Sequence, residues 1–162
     1  MTQRDDRYAT FVERAGLFME GQGLPRIAGR IFGLLLVSPH ELALDEITER
    51  LGVSRASVSI DARRLEQMGI VERVGRPGDR KDYYRIAPDH HIRALEQRIA
   101  SVREFLVLLR DARGLPDAPP DVEERLEAAG SACEDIVQTM AAGLERWRQR
   151  AETERRARAL FA

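Results

Sequence analysis

The sequence predicts a mainly α-helical protein with a small β-hairpin: a winged helix-turn-helix carried on long dimerisation helices. Three observations predict it. Residues 45–86 run as a short helix, a glycine turn, a second helix and a basic hairpin. That order places one helix in the major groove of DNA and a hairpin over an adjacent groove. Apolar residues recur at heptad spacing through 92–109 and again through 122–147. Finally, residues 54–86 hold eight basic side chains against five acids, in a chain whose formal net charge is -1. Attraction to nucleic acid must therefore be local, and the local excess of three positive charges lies on the helix and hairpin that would need it.

At 162 residues the chain is one domain, or a compact domain with helical extensions. Its 43% hydrophobic content supplies a core, while 33% charge points to an extensive solvated surface. The first residues, MTQRDDRYATF, contain no apolar signal region, and the longest apolar run, 31–37, is too short to span a bilayer. A cytoplasmic protein without a membrane partner is expected. The single cysteine, Cys133, excludes an internal disulfide. Basic residues are mostly arginine along the whole chain, as translation of a G+C-rich bacterial genome produces.

The elements follow in order. Helical periodicity runs through residues 5–21 (Tyr8, Phe11, Val12, Ala15, Leu17, Phe18, Met19) and ends at Gly21 and Gly23. Pro25 suits the first turn of the next helix, 25–37, and Pro39 stops it. Gly29 and Gly33, one turn apart, let a neighbouring backbone come close. Residues 43–51 form the first helix of the helix-turn-helix, with Leu44, Ile47 and Leu51 inward and Gly52 as a left-handed cap. Ser54 caps the recognition helix, 55–68. Residues 70–74 and 83–86 are strands around the turn cluster Gly75-Arg76-Pro77-Gly78-Asp79. The stripe Ile92, Leu95, Ile99, Val102, Leu106, Leu109 makes a helix that residues 114–120 break. A second stripe comprises Val122, Leu126, Ala129, Cys133, Ile136, Met140, Gly143 and Trp147. These two helices fold back on each other or pair with a second subunit. The expected division is 1–24 for an N-terminal dimerisation helix, 25–88 for DNA binding and 89–162 for the dimerisation arm.

On a helical wheel Val58, Ala62 and Leu65 face the core. Ala56, Ile60, Arg63 and Gln67 face away, flanked by Ser57, Ser59 and Arg64. Ala56 permits close approach, Ser57 bonds a base edge or phosphate, and Arg63 and Arg64 reach phosphate or guanine. Ile60 has no core role on that face; a thymine-methyl contact would explain it, and so would the single exposed apolar residues that protein surfaces commonly carry. At the hairpin, Arg76, Arg80 and Lys81 are placed to enter a minor groove.

Ser54-Arg55-Ala56-Ser57-Val58-Ser59, Leu65-Glu66-Gln67-Met68-Gly69-Ile70-Val71 and Gly75-Arg76-Pro77-Gly78-Asp79-Arg80-Lys81 resemble the recognition helix and wing of the MarR family of bacterial regulators. Residues 11–39 are similar to the N-terminal region of its glycine-betaine synthesis regulator (GbsR-like) branch. The resemblance implies a homodimer joined through its terminal helices, and a wing in which Asp79 positions Arg80. The expected DNA-binding set is then Ser54, Arg55, Ala56, Ser57, Ser59, Ile60, Arg63 and Arg64 on the helix, with Arg76, Asp79, Arg80 and Lys81 on the wing 71–86.

Other chemistry is sparse. His40, His90, His91 and Cys133 match no metal-ligand spacing, and Cys133 on an apolar stripe reads as an inert thiol. No nucleophile–base arrangement or phosphate loop appears, since Gly21-Gln22-Gly23 lacks the third glycine of a dinucleotide fingerprint. Neither an enzyme nor a cofactor is expected. Phe18, Met19, Phe32 and Trp147 are candidates for lining a small-molecule effector pocket, although each also suits core packing. The expected function is a dimeric repressor on a pseudo-palindromic operator in double-stranded DNA. Two rivals are a ligand-independent architectural DNA-binding protein and a winged helix used for protein–protein contact.

Overall fold

A computed structural model describes residues 3–113 and 119–160. The chain divides into two compact units, one running to His90 and one from His91 on.

The first unit contains α1 (Gln3–Gly21), α2 (Arg26–Leu36), β1 (Leu42–Ala43), α3 (Leu44–Leu51), α4 (Arg55–Gln67), β2 (Val71–Val74) and β3 (Tyr83–Ile86). Helix α2 is central, with α1 against one side and α4 against another, which is why its apolar surface extends over most of its circumference. Close packing of α1 on α2 depends on the glycine pair. A Cβ at Gly33 would lie 2.7 Å from the Cβ of Ala15, and one at Gly29 would lie 2.7 Å from the carbonyl oxygen of Ala15. The α1 backbone occupies the volume that larger side chains would fill. Ile31, Ile47, Val58, Leu65 and Val71 are fully buried in the common core. Each contributes about 1.5–3 kcal/mol by leaving water.

The hairpin supplies two strands of a three-stranded antiparallel sheet, ordered β1-β3-β2 with β3 in the centre. Sequence periodicity predicts two strands; the third, β1, is two residues long and pairs Leu42 with Tyr84 and Ala43 with Tyr83. Two residues cannot display an alternation, so no periodic signal marks them. Ala43, expected inside the first turn of α3, is its N-cap, and its N–H donates to the Glu46 carboxylate at 2.8 Å. Pro25 likewise caps α2 from just outside it.

In the second unit, α5 (His90–Arg113) and α6 (Pro120–Leu160) run antiparallel within one chain. Arg148 donates to Glu96 at 2.6 Å near one end of the pair, and Arg110 meets Glu134 at 3.5 Å nearer the other. The fold-back alternative therefore holds. The α5 stripe lies where heptad spacing puts it, with Ile92, Ile99, Leu106 and Leu109 buried. The α6 stripe differs from expectation in its C-terminal half. Val137, Met140, Leu144 and Ala151 pack on Ile92, Leu95 and Ile99, whereas Ile136 is 44% exposed and Trp147 38%. Steps of three and four from Cys133 are both helical, and the partner helix selects four. At 41 residues, α6 extends for about 60 Å. The helix-breaking residues 114–118 lie outside the described residues. Among the described residues, no helix is long and apolar enough to cross a membrane.

Candidate nucleic-acid interface

Helices α3 and α4 are joined by a tight turn in which Gly52 has φ 62°, a conformation that costs a side-chain-bearing residue strain. Ser54 then starts α4: its Oγ accepts the Ser57 N–H at 3.1 Å and lies 2.8 Å from the Ser57 hydroxyl. Ser54 and Ser57, two of the three serines of the expected DNA-binding set, are thus also parts of a helix cap. Ser54→Ala should cost about 1 kcal/mol of stability through lost capping. Thermal unfolding checks this, and an unchanged melting temperature with weakened DNA binding would make the hydroxyl a DNA contact instead.

Along α4 the exposed line is Ala56, Ile60, Arg63 and Gln67, while Ser57, Ser59 and Arg64 are half-buried beside it. Ile60 is 55% exposed. Arg63 folds along its own helix, donating from Nε to the Ser59 carbonyl at 3.1 Å and from the other nitrogen to Ser59 Oγ at 3.0 Å. Arg64 is paired at 3.2 Å with Asp61, which is buried. Arg55 is paired with Asp45 of α3.

The wing contains its own acids. Arg85 meets its cross-strand partner Glu72 at 2.5 Å, and Arg73 meets Asp82 at 3.4 Å. Arg76 is held by Glu41, outside the hairpin: Nε and a terminal nitrogen donate to one carboxylate oxygen at 3.1 and 2.8 Å. The same guanidinium lies 4.0 Å above the centre of the Tyr83 ring. The Tyr83 hydroxyl donates to Asp79 at 2.7 Å, and the other Asp79 oxygen accepts the Lys81 N–H at 3.0 Å. Asp79, just before Arg80, thus bonds to two residues that follow it.

The bond from Arg76 holds the Glu41 carboxyl below its ordinary range, and the Tyr83 bond, then the Lys81 N–H, do the same for Asp79. Asp79 in turn keeps the Tyr83 phenol protonated to higher pH. Both carboxylates have lowered values, so these contacts are present at neutral pH and are lost only as pH falls through those values into acid.

Of the eight basic residues in 54–86, Arg63, Arg80 and Lys81 have no acid partner within salt-bridge distance among the described residues. Sequence reasoning placed Arg76 and Asp79 on the wing but missed Glu41, Asp45 and Tyr83, which orient its neighbours. Glu41 is 35 residues from Arg76, beyond the reach of any periodic pattern.

The MarR family model matches residues 22–82, from before α2 to the end of the wing loop. The HTH-type transcriptional regulator MmpR5 of Mycobacterium tuberculosis is 35% identical over 142 residues, covering 86% of this chain and 86% of that protein. The chain belongs to the MarR family. As a MarR-family protein it is a DNA-binding transcription regulator with a winged helix, in a family of regulators that are not enzymes. A second relative, the putative HTH-type transcriptional regulator YvaV of Bacillus subtilis, is 31% identical over 81 residues, half of this chain (50%) and 46% of its own length. The HTH-type transcriptional repressor OpcR of the same organism is 29% identical over 80 residues, covering 49% of this chain and 43% of OpcR. A solved crystal structure of a transcriptional regulator superposes with a TM-score of 0.75 at 32% identity, over 88% of this chain and 99% of that one. The likeness to that structure therefore extends past the winged helix into α5 and α6.

Proposed function

We propose that this MarR-family chain is a homodimeric repressor of the GbsR-like branch, acting in the cytoplasm on a pseudo-palindromic operator. The exposed line Ala56-Ile60-Arg63-Gln67 beside a wing with unpaired Arg80 and Lys81 carries the reading. In it, Ser54, Arg55, Ala56, Ser57, Ser59, Ile60, Arg63 and Arg64 face the major groove, and Ile60 contacts a thymine methyl. Arg80 and Lys81 enter the flanking minor groove, with Arg76 and Asp79 shaping the wing. Repression is supported by the name of OpcR, a repressor similar over half of this chain. The likeness of residues 11–39 to GbsR-like N-terminal regions supports the branch.

Dimerisation is supported by large apolar side chains that each unit leaves uncovered: Tyr8, Phe11, Leu17 and Phe18 in one, and Phe105, Leu108, Ile136 and Trp147 in the other. Residues 1–24 and 89–162 would then form the interface, and 25–88 the DNA-binding domain. A small-molecule effector is supported by a groove of about 690 Å³ lined by Phe11, Phe18, Phe32, Arg7 and Arg14. Met19 packs instead toward Gly29, and the Trp147 ring meets His91 within the second unit.

A two-fold dimer meets the duplex from one side, so its half-sites should form an inverted repeat with centres about 10 bp apart. Footprinting of bound genomic fragments tests this. A protected direct repeat would sink the two-fold docking, and protection that random competitor DNA abolishes would favour an architectural protein. A monomer by light scattering at micromolar concentration would remove the dimer.

A further inference from the structure

We propose that Glu41, on the segment leading into β1, is a positioning residue for DNA binding: through Arg76 it holds the wing in the orientation from which Arg80 and Lys81 reach the duplex. The inference rests on the wing reading above and deepens it.

Residues 75–82 are exposed throughout, and the turn within them is closed by the Asp79 N–H on the Arg76 carbonyl at 3.0 Å. Such a loop sweeps many directions unless something outside it takes hold. Glu41 is outside it. The carboxylate bonds Arg76 at the near side of the turn, and the Arg76 guanidinium covers Tyr83 on β3, whose Cα partner in the sheet is Ala43 on β1. Tyr83 carries the hold across to Asp79, and Asp79 to the Lys81 backbone. The series of contacts begins beside α3, whose first N–H, on Leu44, also bonds the Asp82 carbonyl at 3.1 Å. The wing is thereby referenced to the helix-turn-helix itself.

An exposed ion pair contributes little to folding stability, so stability is a poor account of this one. Its effect is to settle the wing's direction before DNA arrives, which removes an ordering cost from binding. Arg76 is occupied in doing so and is a weak phosphate contact as a result.

The sign of the effect makes the proposal testable. Glu41 is an anion close to a surface that meets phosphates, so a purely electrostatic account has its removal tighten binding. Positioning has its removal weaken binding. The measurement is fluorescence anisotropy of the full chain on a 30-base-pair duplex selected by the wild-type protein from a random pool. Glu41→Ala should weaken binding about ten-fold, within the range that contacting pairs show, while thermal unfolding is unchanged. Glu41→Gln loses the charge but keeps an oxygen for Arg76, and should bind nearly as wild type. Arg80→Ala should cost several-fold less in the Glu41→Ala background than alone, because an unaimed arginine has less to lose. Glu41→Ala binding as tightly as wild type, or more tightly, overturns the proposal. So does full additivity with Arg80→Ala. If Arg80→Ala alone weakens binding and Glu41→Ala does not, positioning fails while the wing reading stands. If Arg80→Ala changes nothing, the wing reading itself has failed.

Discussion

Gly29→Val should remove about 3 kcal/mol or more of folding stability. A Cβ at this position would lie 2.7 Å from the Ala15 carbonyl oxygen and 2.8 Å from the Gly16 Cα. These are backbone atoms of α1 and cannot rotate away. The remaining near atom, the Met19 Cβ at 2.7 Å, is fixed to the same backbone. Relief requires α1 to lift from α2, which uncovers Val12 and Ile31. Gly29→Ala is the finer test, because two effects compete. Alanine gains about 1 kcal/mol of helix propensity over glycine, and overpacking costs about 1–3 kcal/mol. Contact with main chain on two atoms puts the second effect ahead, so alanine should destabilise too. Denaturant titration of both variants decides it; an alanine variant more stable than wild type would mean that α1 yields easily.

Arg80→Ala should weaken binding to selected and random duplexes alike and reduce the slope of log affinity against log salt by about one per wing. Its side chain has no hydrogen-bond or ion-pair partner among the described residues, so nothing in the protein must be broken before it meets a phosphate or a narrow groove. Arg80→Glu should reduce the slope further, since it places an anion at the same point. Arg63→Ala makes the contrast. That guanidinium sits on the exposed face of α4, bonded among the described residues only to Ser59, and should cost about 1–3 kcal/mol on the selected duplex and less on random DNA. Titrations at several salt concentrations separate the two residues. Equal losses for Arg63→Ala on both duplexes would reassign it to phosphate contact, and an unaltered slope for Arg80→Ala would take the wing away from the DNA.

What was legible beforehand was local. The 3.6-residue period placed Val58, Ala62 and Leu65 inward and Ala56, Ile60, Arg63 and Gln67 outward, and α4 has that division. Glycines one turn apart announced a close helix crossing, and α1 lies against them. The α5 stripe has the inward positions that its heptad spacing gives, Ile92, Ile99, Leu106 and Leu109. On α6 the choice between Ile136 and Val137 depends on α5, a long-range fact that a helical wheel does not contain. The sheet partner β1 and the carboxylate of Glu41 were hidden for the same reason. Neither has a repeating neighbour, and each acquires its role from residues 35 to 42 positions away. The charge excess is visible in the sequence, but its distribution is not, because two of the neutralising acids, Glu41 and Asp45, lie outside residues 54–86.

That neutralisation bears on how the protein finds its target. With five of the segment's eight cations matched to carboxylates, the proposed interface would offer Arg63, Arg80 and Lys81 as its unmatched cations to a chromosome of anonymous phosphates. So sparse a charge would give a shallow hold on bulk DNA, and a bound molecule would leave a wrong site quickly. Time spent at the right site then depends on base contacts and on a wing already set in place. Scanning would then be fast because little has to be released at each step, and occupancy in the cell should follow discrimination between sites more closely than raw adhesion.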